Sequence, residues 1–313
     1  MFGMEIERKK LLRPARLIRG DTIGIVAPAS PFDKMKFNQG IAALESMGFR
    51  TSVSDDLFIT NGYLAGTDRH RANMVNRLFA DKTIKAVVCA KGGFGSLRML
   101  SLLDFQLIGR NPKIFVGFSD ISALLFVLFE KCGLVTFHGP MVTTLADATE
   151  ETKENMFLTI TSDIKPELKP KKGVTIKRGI ASGPATGGNL TTLCHLAGTP
   201  YTPNFEGQIL LLEDKGEAPY RIDRMLSQMK LAGCFDGLYG LALGSFEDCG
   251  KLDDIILIVD DIFKEDKIPI LAGFEIGHGT NNFTVPMGLV ATLDANRQRL
   301  VFNEPATVSA TDQ

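Results

Sequence analysis

Short apolar runs alternate with segments of helical periodicity along the first half of the chain. Residues 22–27 form an apolar run stopped by proline, which predicts a buried strand, and residues 38–47 carry apolar side chains at helical spacing. Further strands are predicted at residues 85–90 and 114–116, and a further helix at residues 120–131. Because strands alternate with helices, this half is predicted to form a mostly parallel sheet covered on both faces.

The pattern changes after residue 145. Residues 165–173 are charged and rich in proline, which is typical of a linker or an edge segment. Beyond them, residues 186–196 predict a glycine turn followed by a helix, residues 208–212 a strand, and residues 288–302 a hairpin. The second half is therefore predicted to be an α/β structure rich in strands.

The chain length of 313 residues suits two domains better than one core. The α/β organisation is predicted to comprise an N-terminal parallel-sheet domain at residues 1–160, a linker at residues 161–180 and a strand-rich domain at residues 181–313.

Composition and charge narrow the function classes. A net charge of -1 provides no electrostatic basis for binding nucleic acid. Charged residues come early at the N-terminus, which is atypical of a secretory signal, and the apolar runs are too short to cross a membrane. The five cysteines are scattered without C-x-x-C pairs, and no residues have metal-ligand spacing. We therefore expect a cytoplasmic protein without metal, cofactor, nucleic-acid partner or membrane contact.

Ser119 follows the strand predicted at residues 114–116, where the chain turns into a helix. A sharp turn of this kind exposes the serine hydroxyl at the carboxyl end of a sheet, and the next backbone N–H points the same way. Strained backbone angles are therefore predicted at Ser119. The alternative is that Ser119 caps the helix.

The glycine-rich turn at residues 91–95 follows another predicted strand. Its N–H groups could hold an oxygen anion, as an acyl-transfer site requires, or the turn could simply connect strand to helix. Its spacing matches neither common nucleotide-binding motif, so a nucleotide site is a weaker interpretation.

An acid and a base are found in the second half. Glu213 comes directly after an apolar strand run that would fix its carboxylate, whereas Glu217 lies in a turn before Ala-Pro. His278 lies between two glycines, so its ring is predicted to be accessible. His138 is either a structural histidine or a residue that lines a pocket, and the structural interpretation is favoured.

Ser119, Glu213 and His278 together are the residue types of a catalytic triad. The histidine would remove the serine proton, and the carboxylate would hold the ring tautomer. Cys89 is the rival nucleophile, but a cysteine inside an apolar strand is usually buried and inert.

These residues occur within sequence blocks that resemble the LD-carboxypeptidases, a serine peptidase family that includes the microcin C self-immunity peptidases. The resemblance covers nearly the whole chain and follows the family's order through these blocks: Ala65-Gly-Thr-Asp68, Gly92-Gly-Phe-Gly-Ser-Leu-Arg98, Gly117-Phe-Ser-Asp120, His138-Gly-Pro140, Thr186-Gly-Gly-Asn-Leu190, Leu212-Glu-Asp214 and Gly277-His278.

The resemblance implies a Rossmann-like N-terminal domain, a site between the domains and a homodimer. It also implies that Ser119, Glu213 and His278 are catalytic and that the backbone of Gly93 and Asp120 forms the oxyanion hole.

Three residues depart from the family pattern, and one of them is Glu275, which stands where proline is common. Lys91 and Phe94 stand in the glycine turn where arginine and tyrosine are usual, and lysine cannot make a bidentate clamp on a carboxylate. Lys91, Phe94 and Glu217 are the candidate substrate-binding residues, and the departures leave the substrate open.

Three functions remain open from the sequence. The first is release of terminal D-alanine from murein tetrapeptide in peptidoglycan recycling, by hydrolysis of an L,D amide. The second is cleavage of an aminoacyl-nucleotide amide, as in microcin C self-immunity. The third, from another class, is a two-domain ligand-binding protein without catalysis.

Overall fold

The computed structural model describes residues 10–309. These residues form fourteen strands and ten α-helices. The strands are β1 Thr22–Val26, β2 Arg50–Ser52, β3 Ile84–Cys89, β4 Ile114–Gly117, β5 Thr136–His138, β6 Glu167–Leu168, β7 Val174–Lys177, β8 Ile180–Asn189, β9 Ile209–Lys215, β10 Gly240–Glu247, β11 Ile270–Ala272, β12 Val285–Met287, β13 Val290–Asp294 and β14 Arg299–Phe302. The helices are α1 Lys34–Ser46, α2 Asp68–Ala80, α3 Ser96–Met99, α4 Phe105–Arg110, α5 Ser122–Cys132, α6 Val142–Leu145, α7 Glu150–Thr161, α8 Leu190–Cys194, α9 Pro219–Leu231 and α10 Leu252–Ile262.

The first sheet has six strands in the order β12-β5-β4-β3-β1-β2. Five of them run parallel, and β12, which comes from the second half of the chain, adds antiparallel to β5. The strand order reverses between β1 and β3, so the loops after their carboxyl ends diverge and leave a crevice. The predicted parallel α/β sheet is confirmed.

The second sheet has eight strands in the order β6-β14-β13-β8-β9-β10-β11-β7. Its centre, β8 to β11, is parallel, and its flanks are antiparallel. The predicted hairpin near the C-terminus is β13 with β14. Strands β6 and β7 form the two edges and come from the segment predicted as a linker. The predicted domain boundaries stay a prediction.

Residues 186–189 correct one prediction. They were expected to form a glycine turn, but they are the last residues of β8, paired with β9. A Cβ on Gly187 would lie 2.0 Å from the Leu211 carbonyl oxygen, so glycine is required by close strand approach rather than by a turn.

Helix α5 connects the two halves of the fold. Residues Ser122 to Leu128 of this helix are buried, and it packs against β4 and β5 on one side and against β8 and α8 on the other. The Asn189 N–H donates to the Ser122 hydroxyl at 2.9 Å. The N-terminal end of α5 is therefore fixed against the strand that neighbours β9.

No helix among residues 10–309 combines the length and apolar character that a membrane span requires.

Candidate active site

Ser119 lies between β4 and α5 in a left-handed backbone conformation, with φ of 62°. An L-residue pays roughly 1–2 kcal/mol for this conformation, so the surrounding structure must impose it. The predicted backbone strain at Ser119 is confirmed. The side chain is half-buried and lies at the carboxyl end of the sheet.

Asp120 ties the serine turn to the glycine turn. Its carboxylate accepts the Ser96 N–H at 2.8 Å, and the Ser96 hydroxyl donates to the Asp120 carbonyl. A Cβ built on Gly92 would lie 3.3 Å from the Ser119 Oγ, so glycine lets the two turns approach closely. Among residues 10–309, neither the Gly93 nor the Asp120 N–H has a hydrogen-bond acceptor. Both are therefore free to donate to a ligand.

A buried arginine anchors the same glycine turn. The Arg71 side chain is fully buried and donates to the carbonyl of Gly95 at 2.7 Å, to that of Pro28, and to the Asp68 carboxylate. It thus connects the loop after β1 with the loop after β3.

Glu213 and His278 form a direct pair across the second sheet. Oε2 of Glu213 lies 2.7 Å from Nδ1 of His278, and the carboxylate is fully buried. The contact favours the tautomer in which Nδ1 carries the proton and donates to the carboxylate. Nε2 is then unprotonated and can act as a base. Gly277, with φ of 102°, makes the approach possible, because a Cβ there would lie 2.3 Å from Oε2.

Glu213 is flanked by a second histidine. Nε2 of the fully buried His138 lies 3.8 Å from Oε1 of Glu213. Burial alone would raise the pKa of Glu213, but the His138 and His278 rings outweigh it and lower the pKa from 4.5 to about 2. The carboxylate is therefore ionised across the physiological range.

Phe118, the residue that precedes Ser119, packs against His278. The Phe118 ring lies 4.8 Å from the His278 ring, centroid to centroid. Within the described part of the chain, the Ser119 hydroxyl makes no hydrogen bond, so the structure pairs Glu213 with His278 without completing a Ser119–His278 bond. Such bonds are often long in ligand-free sites and shorten when substrate binds.

A cleft of about 490 Å³ opens beside His278. Phe118, Lys91 and His278 line it, together with residues from both halves of the chain. Five charged side chains also face it or its rim: Asp33, Lys36, Lys91, Asp147 and Lys215. The cleft thus offers both signs of charge beside the histidine.

Of the three candidate substrate-binding residues, Lys91 lines the cleft, whereas Phe94 and Glu217 are not among its lining residues. The Lys91 ammonium contacts the Pro31 carbonyl at 3.4 Å. Phe94 is half exposed and packs on Tyr63, with ring centroids 5.7 Å apart. Glu217 bonds to Arg221 at 3.4 Å and does not reach His278. Their predicted contact with substrate stays a prediction.

The rival nucleophile, Cys89, is fully buried, and burial raises the pKa of its thiol well above the usual range. A protonated and inaccessible thiol is a poor nucleophile, so the geometry favours Ser119.

His138 is the site residue that the sequence interpretation missed. It ends β5, the strand beside the one that carries Ser119, and carboxyl ends of neighbouring parallel strands meet at one edge. The position of His138 at a strand end could have marked it as a site residue. It could not show that His138 lies beside Glu213, which belongs to the other sheet.

The comparisons with known proteins begin with two family models. The model of the LD-carboxypeptidase N-terminal domain matches residues 23–139, and that of the LD-carboxypeptidase C-terminal domain matches residues 182–293. The chain is 37% identical to the probable murein peptide carboxypeptidase of Bacillus subtilis strain 168, over 92% of this chain and 93% of that relative.

The proteins similar to this chain also include members of the microcin C self-immunity branch. The chain is 31% identical to the microcin C7 self-immunity protein MccF of Escherichia coli, over 96% of this chain and 98% of that relative. The crystal structure of an MccF-like protein from Bacillus anthracis strain Ames matches with a TM-score of 0.88 at 27% identity, over 93% of this chain and 99% of that chain.

The fold and these matches define a serine-type peptidase, which is a hydrolase. More narrowly, the chain belongs to the LD-carboxypeptidase family, as the sequence blocks predicted.

Proposed function

We propose that this protein is a serine carboxypeptidase that releases terminal D-alanine from murein tetrapeptide in peptidoglycan recycling. The amide to be cut joins the L-centre of a diamino acid to D-alanine. The observation that carries the proposal is the 2.7 Å contact between buried Glu213 and His278, next to a serine in a strained conformation. Backbone strain and an ionisable group with a strongly shifted pKa are features of sites that perform chemistry.

The reaction follows from the residue types. The Ser119 oxygen attacks the carbonyl carbon of the amide while Nε2 of His278 takes the hydroxyl proton. The C–N bond then breaks, and His278 gives that proton to the nitrogen of the leaving D-alanine. Water, deprotonated by His278, hydrolyses the ester on Ser119 and restores the enzyme. Glu213 stabilises the imidazolium that forms in each step.

The oxyanion of each tetrahedral intermediate would be held by two backbone groups. The N–H of Asp120 follows the nucleophile, and the N–H of Gly93 comes from the neighbouring turn. Two donors in this arrangement supply several kcal/mol of transition-state stabilisation. Their freedom from other hydrogen bonds within residues 10–309 supports the assignment.

The charges of the cleft support a zwitterionic peptide as substrate. Lys36 and Asp147 bond to each other at 2.5 Å and neutralise one another at the rim. Lys91 has no carboxylate partner within the described residues, so it can meet the terminal carboxylate as a point charge. The diamino acid brings an amine and a carboxylate that a cleft with both signs can accommodate.

A second candidate is cleavage of an aminoacyl-nucleotide amide, as in microcin C self-immunity. The structural match to the MccF-like protein and the substitutions at Lys91 and Phe94 favour keeping it. It uses the same chemistry and differs in the group that the cleft accepts.

One assay separates the two candidates. Purified protein is incubated with murein tetrapeptide or with an aminoacyl sulfamoyl adenylate, an analogue in which a sulfamoyl group replaces the phosphate. The D-alanine or free amino acid that is released is then quantified. We expect kcat/KM to favour the tetrapeptide by at least about tenfold, with Ser119→Ala protein as the blank. Amino acid release from the adenylate analogue, without D-alanine release from the tetrapeptide, would contradict the first candidate and support the self-immunity function.

We also propose that the protein is a cytoplasmic homodimer. Exposed apolar side chains on α9 and α10, Leu231 at 89% and Leu257 at 67%, support a covered surface there. Light scattering coupled to gel filtration should give twice the chain mass of 34.1 kDa. A monomer at micromolar concentration would contradict the dimer without affecting the catalytic proposal.

A further inference from the structure

The two oxygens of the Glu213 carboxylate have unequal surroundings. Oε2 accepts from His278 at 2.7 Å. Oε1 is buried and has no hydrogen-bond partner within residues 10–309, and it faces Nε2 of His138 at 3.8 Å. An ionised carboxylate oxygen without a donor is costly in a dry interior, so the group beside it has an energetic role.

His138 itself is equally isolated. Its ring is fully buried, and neither ring nitrogen has a hydrogen-bond partner in the described part of the chain. A buried imidazole without partners is retained at a cost in stability, and an apolar side chain would fill the same space more cheaply. Packing alone therefore does not explain a histidine at this position.

The backbone holds the His138 ring in place. His138 pairs with Gly117 of β4 on one side and with Val285 of β12 on the other. The Phe118 ring meets the His138 ring edge at 5.9 Å between centroids. The imidazole is thus fixed by the strand and by the residue that precedes Ser119.

We propose that His138 is a positioning residue that holds the second oxygen of Glu213, so that the first oxygen faces His278 in the orientation that proton transfer requires. The inference rests on the proposed function, because it assumes that the Glu213–His278 pair acts on Ser119.

Few other charged groups face Glu213. They are His278 from the loop after β11, His138 from β5 and the adjacent Asp214, whose carboxylate is turned toward Asn189 and Thr191. A carboxylate held at one oxygen alone can rotate about its last torsion. Losing the imidazole that faces Oε1 at 3.8 Å also leaves more negative charge on Glu213 to stabilise protonated His278, which therefore needs a higher pH to become a base.

Two amide substitutions test this role because they differ in reach. The amide nitrogen of His138→Gln stands close to the position of Nε2, which faces Glu213, whereas that of His138→Asn stands close to Nδ1, which does not. His138→Asn should lower kcat on the order of 10- to 100-fold, the range typical of partners that orient a reacting group, with KM changed less than about twofold. Its acid limb of kcat/KM should move to higher pH. His138→Gln should restore most of kcat and the wild-type limb.

Thr136→Val is the matched control. Thr136 is buried in the same strand, and its hydroxyl donates to the Leu125 carbonyl at 3.1 Å, away from Glu213. It should lose stability while keeping the wild-type pH profile. Equal losses of kcat in all three variants, or a wild-type profile in His138→Asn, would overturn the positioning role.

A second readout does not need turnover. In the Ser119→Ala background, the His278 ring is titrated by NMR with and without His138→Asn, in a chain that contains four histidines. The inference predicts a higher His278 pKa in the double variant, and an unchanged pKa would contradict it. If Ser119→Ala itself kept its activity, the proposed function would fail instead, so the two failures are distinguishable.

Discussion

At the scale of single residues, the backbone conformation of Ser119 lowers the stability of the fold. Its φ of 62° is left-handed, and its hydroxyl makes no hydrogen bond within residues 10–309. The carboxylate of the next residue anchors the turn through Ser96. The strain is thus imposed by neighbours and serves to present the hydroxyl.

Glycine at this position should relieve the strain. We expect Ser119→Gly to exceed Ser119→Ala in unfolding free energy by about 1 kcal/mol, because alanine keeps the Cβ that opposes a left-handed backbone. Urea unfolding of both variants measures the difference.

Ala123, four residues later in α5, is the matched control. At this position alanine should be more stable than glycine. The unfolding free energy of Ala123→Gly should be about 1 kcal/mol below that of wild type, because glycine weakens a helix interior. A Ser119→Gly protein less stable than Ser119→Ala would contradict the strain at Ser119.

The choice between the two acids is also a residue-scale question. Glu213→Gln should reduce kcat by about 10²- to 10⁴-fold, because an amide supports the wrong tautomer of His278. Glu217→Gln should change kcat less than about threefold, since Glu217 contacts Arg221 rather than the histidine. Steady-state kinetics on the same substrate decides. A larger loss in Glu217→Gln would exchange the two roles.

Glu213 also predicts a pH dependence of stability. Its folded-state pKa of about 2 lies below the usual 4.5, so its stabilising contribution is complete above pH 4.5 and is lost as the pH falls toward 2. The difference in unfolding free energy between wild type and Glu213→Gln should therefore shrink on acidification. A constant difference between pH 6 and pH 2.5 would contradict the low pKa.

At the scale of elements, Arg71 on α2 connects two loops of the first sheet. Arg71→Met leaves the carbonyls of Pro28 and Gly95 without their donor and should cost about 3 kcal/mol of unfolding free energy. It should also lower kcat, because the glycine turn that carries Gly93 loses its anchor.

Arg98→Met provides the comparison, since Arg98 bonds to the same Asp68 but is largely exposed. An exposed pair contributes about 0–1 kcal/mol, so this variant should be nearly wild type. Similar losses in both variants, measured by denaturant unfolding, would show that Asp68 rather than the loop carbonyls determines the effect.

Most elements could be predicted because their hydrophobic periodicity is strong. The strand predicted at residues 85–90 is β3, displaced by one residue, and the helix predicted at 120–131 is α5 preceded by a short 3₁₀ turn.

The errors occur where long-range contacts override local pattern. The strand predicted to end at Leu212 runs on through Glu213 to Lys215, because two histidines stabilise the carboxylate inside the sheet. Helix α7 was not predicted from the weak pattern after residue 145, although Thr149 caps it. Three of its apolar residues, at positions 156–158, are consecutive rather than spaced three or four apart, so periodicity gave little signal.

At the scale of the whole molecule, the site is assembled from both sheets. Ser119 follows β4 of the first sheet, whereas Glu213 lies in β9 of the second, and α5 packs against both sheets. The three residue types could be chosen from the sequence, since each follows a strand or sits between glycines. The facing of His138 and Glu213 could not, because it depends on how two sheets separated by many residues meet.

The central claim is that Ser119, His278 and Glu213 work as one unit, and it is tested most directly by D-alanine release in single and double variants. Ser119→Ala and His278→Ala should each lose kcat on the order of 10⁶-fold if triad non-additivity of the subtilisin kind holds. The double variant should lose little more, because neither residue has a function once the other is gone. Ser119→Ala protein must also remain folded and bind tetrapeptide. If Ser119→Ala kept more than a small fraction of wild-type turnover on every amide tested, or if the two losses multiplied in the double variant, the serine peptidase mechanism proposed for this site would be wrong.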